Sequence, residues 1–136
     1  MPKILGLDYG ERRIGMAISD DQMRMAVGVD VLQNVDEATT ISYLKNFCQK
    51  EEIEKIVLGW PLNMSGKETA KTIEVKKFGV KLEDSLGIPV EFQDERLSSK
   101  EVEKLLKGIK KDKAMIDKQA ARVILQSYLD RARLKN

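Results

Sequence analysis

The order of the apolar segments constrains the fold of this chain more than any other feature. Residues 3–8, 13–19 and 26–32 each read as a strand, and short turns join them, which favours an antiparallel meander. Two further strands, over residues 55–59 and 90–93, alternate with helices and so imply right-handed parallel crossovers. The sequence predicts an α/β fold with a mixed five-stranded sheet and helices on both faces.

Capping signals predict where the helices begin. Asn34, Ser65 and Ser98 are each followed three residues later by a glutamate, the spacing at which a capping pair satisfies free backbone donors. The last helix is predicted to begin at Asp117, after a basic, loop-like break over residues 108–113. The predicted order is β-β-β-α-β-α-β-α-α. The first two helices carry apolar stripes predicted to face the core: Ala38, Ile41, Leu44 and Cys48, then Ile73, Phe78, Leu82 and Leu86.

Composition limits the chemistry that is available. The 136 residues fit one domain, and no apolar stretch approaches the roughly 20 residues that span a bilayer. With no secretory signal at the start, we expect a cytoplasmic protein with no membrane association. There is no histidine and one cysteine, Cys48, which excludes histidine-dependent catalysis, Cys/His zinc sites and an internal disulfide. A bound metal would need mostly oxygen ligands, which favours Mg²⁺ or Mn²⁺.

Acidic residues end two of the predicted strands. Asp8 ends the first strand, Asp94 and Glu95 end the fifth, and Asp117 starts the last helix. If the first, fourth and fifth strands are parallel, Asp8 and Glu95 share the carboxyl edge of the sheet, with backbones about 10 Å apart. Clustered carboxylates repel one another unless cations neutralise them. Two Mg²⁺ ions about 3.5–4 Å apart would do so and would activate a water against a phosphodiester.

Each acid also has a simpler interpretation. Asp117 alone is most simply a helix cap, and Asp94 and Glu95 could form an ion pair with Arg96. Side chains alternate along a strand, so only one of Asp94 and Glu95 can join the site, and the sequence leaves that choice open. Asp8 argues for a shared site, because it ends a strand with no polar residue from Ile4 to Leu7, where an idle carboxylate is costly.

Basic residues are concentrated towards the end of the chain. Residues 1–95 carry 12 basic and 17 acidic side chains, whereas residues 96–136 carry 12 basic and 5 acidic ones. This segment is either a solvated helix surface or a surface that binds phosphates. Trp60 and Tyr9 are also predicted to lie at the carboxyl edge of the sheet. They are either core residues or aromatic rings on which nucleic-acid bases stack. The predicted nucleic-acid contacts are Lys67, Lys110, Lys111, Lys113 and Lys118.

Six segments, in order along nearly the whole chain, match one known family pattern: Ile4–Gly10, Arg13–Gly15, Ala17–Asp20, Val57–Gly66, Asp94–Ser99 and Ile116–Leu129. In these segments the chain resembles the YqgF family. The resemblance implies one RNase H-like nuclease domain over residues 1–136, related to Holliday-junction resolvases. It implies a cytoplasmic, metal-dependent nuclease that processes the 5′ end of the 16S ribosomal RNA precursor. It also implies that Asp8, Glu95 and Asp117 are both the catalytic acids and the ligands of Mg²⁺ or Mn²⁺.

Other functions remain open at this point. The chain could cut Holliday junctions or single-stranded DNA, or bind RNA in ribosome-assembly intermediates without cutting it. An ATPase of the actin and sugar-kinase type shares a similar strand-Asp-x-Gly opening, but those enzymes need two such domains. We expect a monomer or a weak homodimer, and a junction cutter would require the dimer.

Overall fold

The computed structural model of the chain describes residues 3–60, 67–94 and 113–134, with five strands and three helices in these ranges. The strands are β1 (Lys3–Tyr9), β2 (Arg13–Ser19), β3 (Ala26–Gln33), β4 (Ile53–Trp60) and β5 (Val90–Asp94). The helices are α1 (Glu37–Glu51), α2 (Ala70–Leu86) and α3 (Lys113–Leu134).

All five strands form one mixed sheet in the order β3-β2-β1-β4-β5. β1 pairs antiparallel with β2, and β2 with β3, whereas β4 runs parallel to both β1 and β5. The predicted meander followed by parallel crossovers is therefore confirmed. This topology brings the carboxyl ends of β1, β4 and β5 to one edge of the sheet.

Helices α1 and α2 cover one face of the sheet, and α3 covers the other, as predicted. The face under α1 and α2 is packed with large apolar side chains, and its fully enclosed members include Leu5, Leu7, Ile14, Met16, Leu44, Ile56, Leu58 and Leu82. Burial of such side chains supplies most of the hydrophobic stabilisation of a domain.

Small residues line the opposite face of the sheet, beneath α3. Gly6, Ala17 and Gly28 lie opposite one another on three adjacent strands. A Cβ atom at Gly6 would lie 2.7 Å from Cβ of Leu125, and one at Gly28 would lie 2.8 Å from Cγ of Lys118. Because real Cβ atoms do not approach so closely, glycine allows α3 to lie directly on the strands.

The first two helices begin later than predicted. Asp36, not Asn34, caps α1, because its carboxylate accepts hydrogen bonds from the backbone N–H and the hydroxyl of Thr39. The Asn34 amide instead donates to the carbonyl of Gly10 and accepts from Thr40.

Thr69, not Ser65, caps α2, and its hydroxyl accepts from the backbone N–H of Thr72. Gly87 ends the helix at φ 70°, a left-handed conformation that favours glycine, so this predicted stop is confirmed. The predicted stripes are partly wrong, since Ala38 and Ile73 are exposed. Thr40 and Val75 are buried in their place.

The last helix begins earlier than predicted, at Lys113, and Asp117 lies inside it. Residues 113–116 are good helix formers on average, and the carboxylate of Asp117 makes a contact with a strand instead of capping the helix. The predicted helix after Ser98 lies outside the described residues, as does the basic break except for Lys113. No helix in the described ranges has the length and apolar character needed to cross a membrane.

Candidate active site at the carboxyl edge of the sheet

Asp8 lies near the carboxyl end of β1, on the face that α3 covers. Its face follows from alternation along β1, because Ile4 and Gly6 contact α3 whereas Leu5 and Leu7 belong to the core beneath α1 and α2. The cross-strand partner of Asp8 on β2 is Gly15.

Asp117 meets the sheet at that same glycine. A Cβ atom at Gly15 would lie 2.0 Å from the carbonyl oxygen of Asp117, so the second turn of α3 rests on the backbone of β2. Directly opposed residues of antiparallel strands have Cα atoms about 4.5–5.5 Å apart. The backbones of Asp8 and Asp117, far apart in sequence, therefore both lie beside Gly15.

Arg13 completes this corner from the first position of β2. Its Nε donates to Oδ2 of Asp117 at 2.7 Å, which is also an ion pair. The two side chains remain 30% and 23% exposed, so water reaches the pair. A carboxylate of the corner thus already binds one positively charged group.

Two acids, Asp94 and Glu95, follow one another at the end of β5, and Asp94 is the one that the structure describes. Gln93 accepts a hydrogen bond from Arg131 of α3, which assigns Gln93 to the α3 face. Phe92 packs on Trp60, on the other face. Alternation therefore assigns Asp94 to the face opposite Asp8, and Glu95 lies outside the described residues. Within the described ranges, no three acidic or cysteine side chains cluster as metal ligands.

The predicted basic contacts are dispersed. Lys67 is exposed just ahead of α2, and the side chain of Lys118 lies over Gly28 of β3. Lys113 is the first residue of α3, although its side chain is not described, and Lys110 and Lys111 lie outside the described residues.

A cleft opens beside the acidic corner, between the β1–β2 turn and the start of α2. It has a volume of about 560 Å³ and is lined by Tyr9, Gly10, Glu11, Arg12, Arg13, Ala70, Lys71, Glu74 and Asp117. Ligand sites in proteins commonly have volumes of about 300–1,000 Å³. Three cationic side chains reach this cleft, and Asp117 connects it to the corner.

The two aromatic residues at this edge have mixed environments. The Tyr9 ring packs on Phe78, with centroids 4.4 Å apart, and burial raises the pKa of Tyr9. The Trp60 ring packs on Phe92 at 5.5 Å, and Lys76 Nζ lies 5.6 Å from its centroid. The buried Trp60 indole N–H has no hydrogen-bond partner among the described residues. Both rings are therefore partly core residues, with edges at the surface.

Sequence reasoning missed Arg13, Gly15 and Lys71 as parts of this region. Alternation could have found Arg13, because positions 13, 15 and 17 share one face of β2, and Asp8 lies on that same face once β1 and β2 are paired. Lys71 had no comparable signal, since its position depends on where α2 begins.

The sheet order and the two-sided helical cover define an α/β protein of the RNase H-like class, as found in resolvases. RuvC of T. thermophilus, solved in complex with a Holliday junction substrate, superposes with a TM-score of 0.66 at 13% identity, covering 100% of this chain and 98% of that one. The yeast mitochondrial Holliday junction resolvase Ydc2 gives a TM-score of 0.54 at 13% identity, covering 98% and 80%. These similarities concern the fold.

Sequence comparison narrows this class to one family. The family model described as "RuvX: Holliday junction resolvase" matches residues 2–131. A "Putative pre-16S rRNA nuclease" of Syntrophomonas wolfei is 48% identical over 94% of both chains, and one of Dictyoglomus thermophilum is 41% identical over 97% of this chain and 98% of its own. The chain belongs to the RuvX/YqgF family of nucleases, which confirms the resemblance seen in the sequence.

Proposed function

We propose that this protein is a metal-dependent nuclease that hydrolyses phosphodiester bonds at the 5′ end of the 16S ribosomal RNA precursor. The observation that carries the proposal is the meeting of Asp8 and Asp117 at Gly15, on one face and at the carboxyl edge of the sheet. The substrate follows the names of the relatives that are 48% and 41% identical. Its setting would be the cytoplasm, with ribosome-assembly intermediates as partners.

The residues at the corner fit a hard divalent ion. Carboxylate oxygens are the ligands that Mg²⁺ and Mn²⁺ prefer, and the chain has no histidine to favour other metals. Asp8 and Asp117 would hold the ions together with Glu95, because Asp94 belongs to the opposite face. Two such ions, when bound, would stabilise charge on the phosphate and activate a water.

The remaining groups of this region bind and orient the strand. Arg12 and Lys71 line the cleft beside Asp117 and can hold phosphates of the nucleic-acid backbone. Lys67, just ahead of α2, and the lysines around the start of α3 would extend this contact. Binding of this kind weakens as salt rises, because each phosphate contact releases condensed counterions.

The test uses a labelled precursor of the 16S RNA 5′ region, incubated with Mg²⁺, Mn²⁺ or EDTA. Wild-type protein is expected to cut it only with a divalent ion. Asp8→Asn and Asp117→Asn are each expected to lower the rate more than about 100-fold, because removing even an outer partner of a metal ligand costs 10–100-fold. Asp94→Asn is the matched control on the opposite face, and it should cut at a rate near that of wild type.

Two outcomes would contradict this proposal. Full activity of Asp8→Asn would overturn the assignment of the site. Salt-dependent RNA binding without cleavage under any divalent ion would identify an assembly factor that does not cut.

A resolvase is the second candidate, favoured by the description of the matching family model. Cleavage of a labelled four-way junction, but not of the RNA precursor, would support it. Because paired cuts need two sites, the active species should then be a dimer in sedimentation experiments.

A further inference from the structure

The Arg13 side chain forms an ion pair with Asp117, a carboxylate that the proposed function assigns to a divalent ion. Its Nε lies 2.7 Å from Oδ2 of Asp117. Asp117 is the one hydrogen-bond partner of this side chain within the described residues, and Arg13 also lines the cleft beside the corner. The guanidinium can therefore reach both the acid and the space where a nucleic-acid strand would lie.

We propose that Arg13 is a positioning residue that exchanges partners. Its guanidinium neutralises Asp117 while no divalent ion is bound, and it moves to a backbone phosphate of the substrate when an ion takes its place. This inference rests on the proposed function, and it adds a coupling between ion binding and strand binding that the proposed function does not require.

Electrostatics favours such an exchange. The guanidinium already holds Oδ2 of Asp117, and it repels a divalent ion that approaches the same carboxylate, so the two cations compete. Partial exposure of both Arg13 and Asp117 keeps their pair weak enough for a doubly charged ion to displace it. The released guanidinium has five N–H donors in a planar fork, a geometry that matches phosphate oxygens.

The cleft provides a place for the released group. Arg12 and Lys71 line the same space together with Glu11 and Glu74, so a phosphate entering it meets cations from the β1–β2 turn and from the start of α2, with a carboxylate beside each. Ion binding at Asp117 would add Arg13 as a third. The ion and the strand then strengthen each other's binding by the same factor, as thermodynamic linkage requires.

A structural role for Arg13 predicts the opposite result. If Arg13 only holds Asp117 in place, its loss would disorder a ligand and weaken ion binding. If Arg13 competes with the ion, its loss tightens ion binding. The sign of the change in ion affinity therefore decides between these roles without any measurement of cleavage.

The experiment measures Mn²⁺ affinity by calorimetry, without nucleic acid, for wild type, Arg13→Gln, Arg13→Lys and Arg12→Gln. Arg13→Gln is expected to bind Mn²⁺ about two- to fivefold more tightly, the range for loss of a partly exposed ion pair. Arg13→Lys keeps the competing charge and should resemble wild type. Arg12→Gln removes the same charge from the same cleft without touching Asp117, and should change affinity less than Arg13→Gln.

A second measurement tests the exchange itself. A fluorescent single-stranded RNA with cleavage-resistant phosphorothioate linkages is titrated with Mg²⁺ or with EDTA, and binding is followed by anisotropy. Wild type should bind it about threefold or more tightly with Mg²⁺ than with EDTA, and Arg13→Gln should lose most of this difference. Thermal unfolding confirms that each variant is folded.

These experiments distinguish failure of the Arg13 exchange from failure of the nuclease proposal. Unchanged or weaker Mn²⁺ binding by Arg13→Gln, or an equal gain in Arg12→Gln, overturns the exchange while leaving the nuclease proposal intact. An unchanged Mg²⁺ effect on RNA binding in Arg13→Gln also overturns it. No Mn²⁺ binding by wild type and by Arg13→Gln overturns the metal-dependent function, and the exchange with it.

Discussion

The two faces of the sheet are built in different ways. Large aliphatic side chains fill the space beneath α1 and α2, whereas glycine and alanine on three neighbouring strands let α3 rest against the sheet. Volume and burial dominate on the first face, and on the second the close approach of backbones matters most. On the second face, Asp8 and Asp117, which are far apart in sequence, both lie beside Gly15.

Charged contacts of α3 reach the sheet at two places. Arg13 pairs with Asp117 near the start of the helix, and Lys55 donates to Tyr128 and pairs with Glu91 further along it. Charged groups also reach the sheet from α1 and α2, since Glu51 pairs with Lys3 of β1 and Lys76 lies over the Trp60 ring of β4. The two faces therefore differ in how tightly the helix backbone approaches the strands, and both carry charged contacts at their edges.

The largest effect is expected from adding a side chain at Gly15, where the backbone of α3 lies against β2. In Gly15→Ala, the added Cβ would lie 2.0 Å from a backbone oxygen, so α3 must move by about 1 Å or more to relieve the contact. Displacement of this size at a site costs on the order of 100-fold in rate, and overpacking costs roughly 1–3 kcal/mol of stability. Cleavage assays and chemical unfolding measure the two effects.

Gly79→Ala on α2 is the matched control for Gly15→Ala. Its Cβ would lie 2.8 Å from the tip of the Phe92 ring, a side chain that can move, and alanine favours a helix over glycine. Stability should change by less than in Gly15→Ala, with cleavage retained. Equal loss of activity in both variants would contradict the assignment of the site to one face.

Truncating the core should affect stability alone. Leu82 is fully buried beneath α2, and Leu82→Ala is expected to cost about 2–5 kcal/mol in the free energy of unfolding. At a temperature where the variant stays folded, its cleavage rate should match that of wild type. Val80→Ala, on the exposed side of the same helix, should change stability by less than about 0.5 kcal/mol. A strong loss of activity in folded Leu82→Ala would show that the two faces are coupled.

A smaller effect is expected where Lys55 contacts Glu91 of β5 and Tyr128 of α3. A hydrogen bond from Lys55 lowers the pKa of Glu91, and hydrogen bonds to Tyr128 and Glu91 raise the pKa of Lys55. The Glu91 contribution is present above the ordinary glutamate pKa and is lost as pH falls through the lowered value. The Lys55 contribution is present below its ordinary pKa and is lost only as pH rises through the raised value.

Glu91→Gln should therefore reduce stability at pH 7 by about a few tenths of a kcal/mol, since the pair is largely exposed. The difference from wild type should shrink towards pH 3. Denaturant unfolding at both pH values measures it, and Glu54→Gln on an exposed part of β4 provides the control. A difference that grows towards pH 3 would contradict the assigned direction of the Glu91 pKa.

The mixed five-stranded sheet could be predicted from the sequence, because the alternation of apolar and polar side chains and the short turns are local signals. It misplaced helix starts where distant groups compete for the same polar side chains. The Asn34 amide, for example, bonds to Gly10 and Thr40, and Asp36 takes over the cap. Local pattern cannot show such competition.

Prediction of the site was limited for a related reason. Asp8 was predicted from its strand, whereas the contact of Asp117 with Arg13 spans 104 residues and leaves no local signature. The role of Gly15 depends on register, which becomes known only when β1 and β2 are paired. The choice between Asp94 and Glu95 likewise needed the face of β5, and the catalytic use of Glu95 stays a prediction.

The joining of the first strand to the last helix also has a consequence during synthesis. Asp8 emerges from the ribosome early, but the acid beside it belongs to α3, which is translated after all five strands. On the proposed function, a chain that has not yet folded α3 against β2 lacks one of the proposed ion ligands and cannot hydrolyse RNA. Under that proposal, the ribosome that makes this protein meets no cutting activity until α3 has folded onto the sheet.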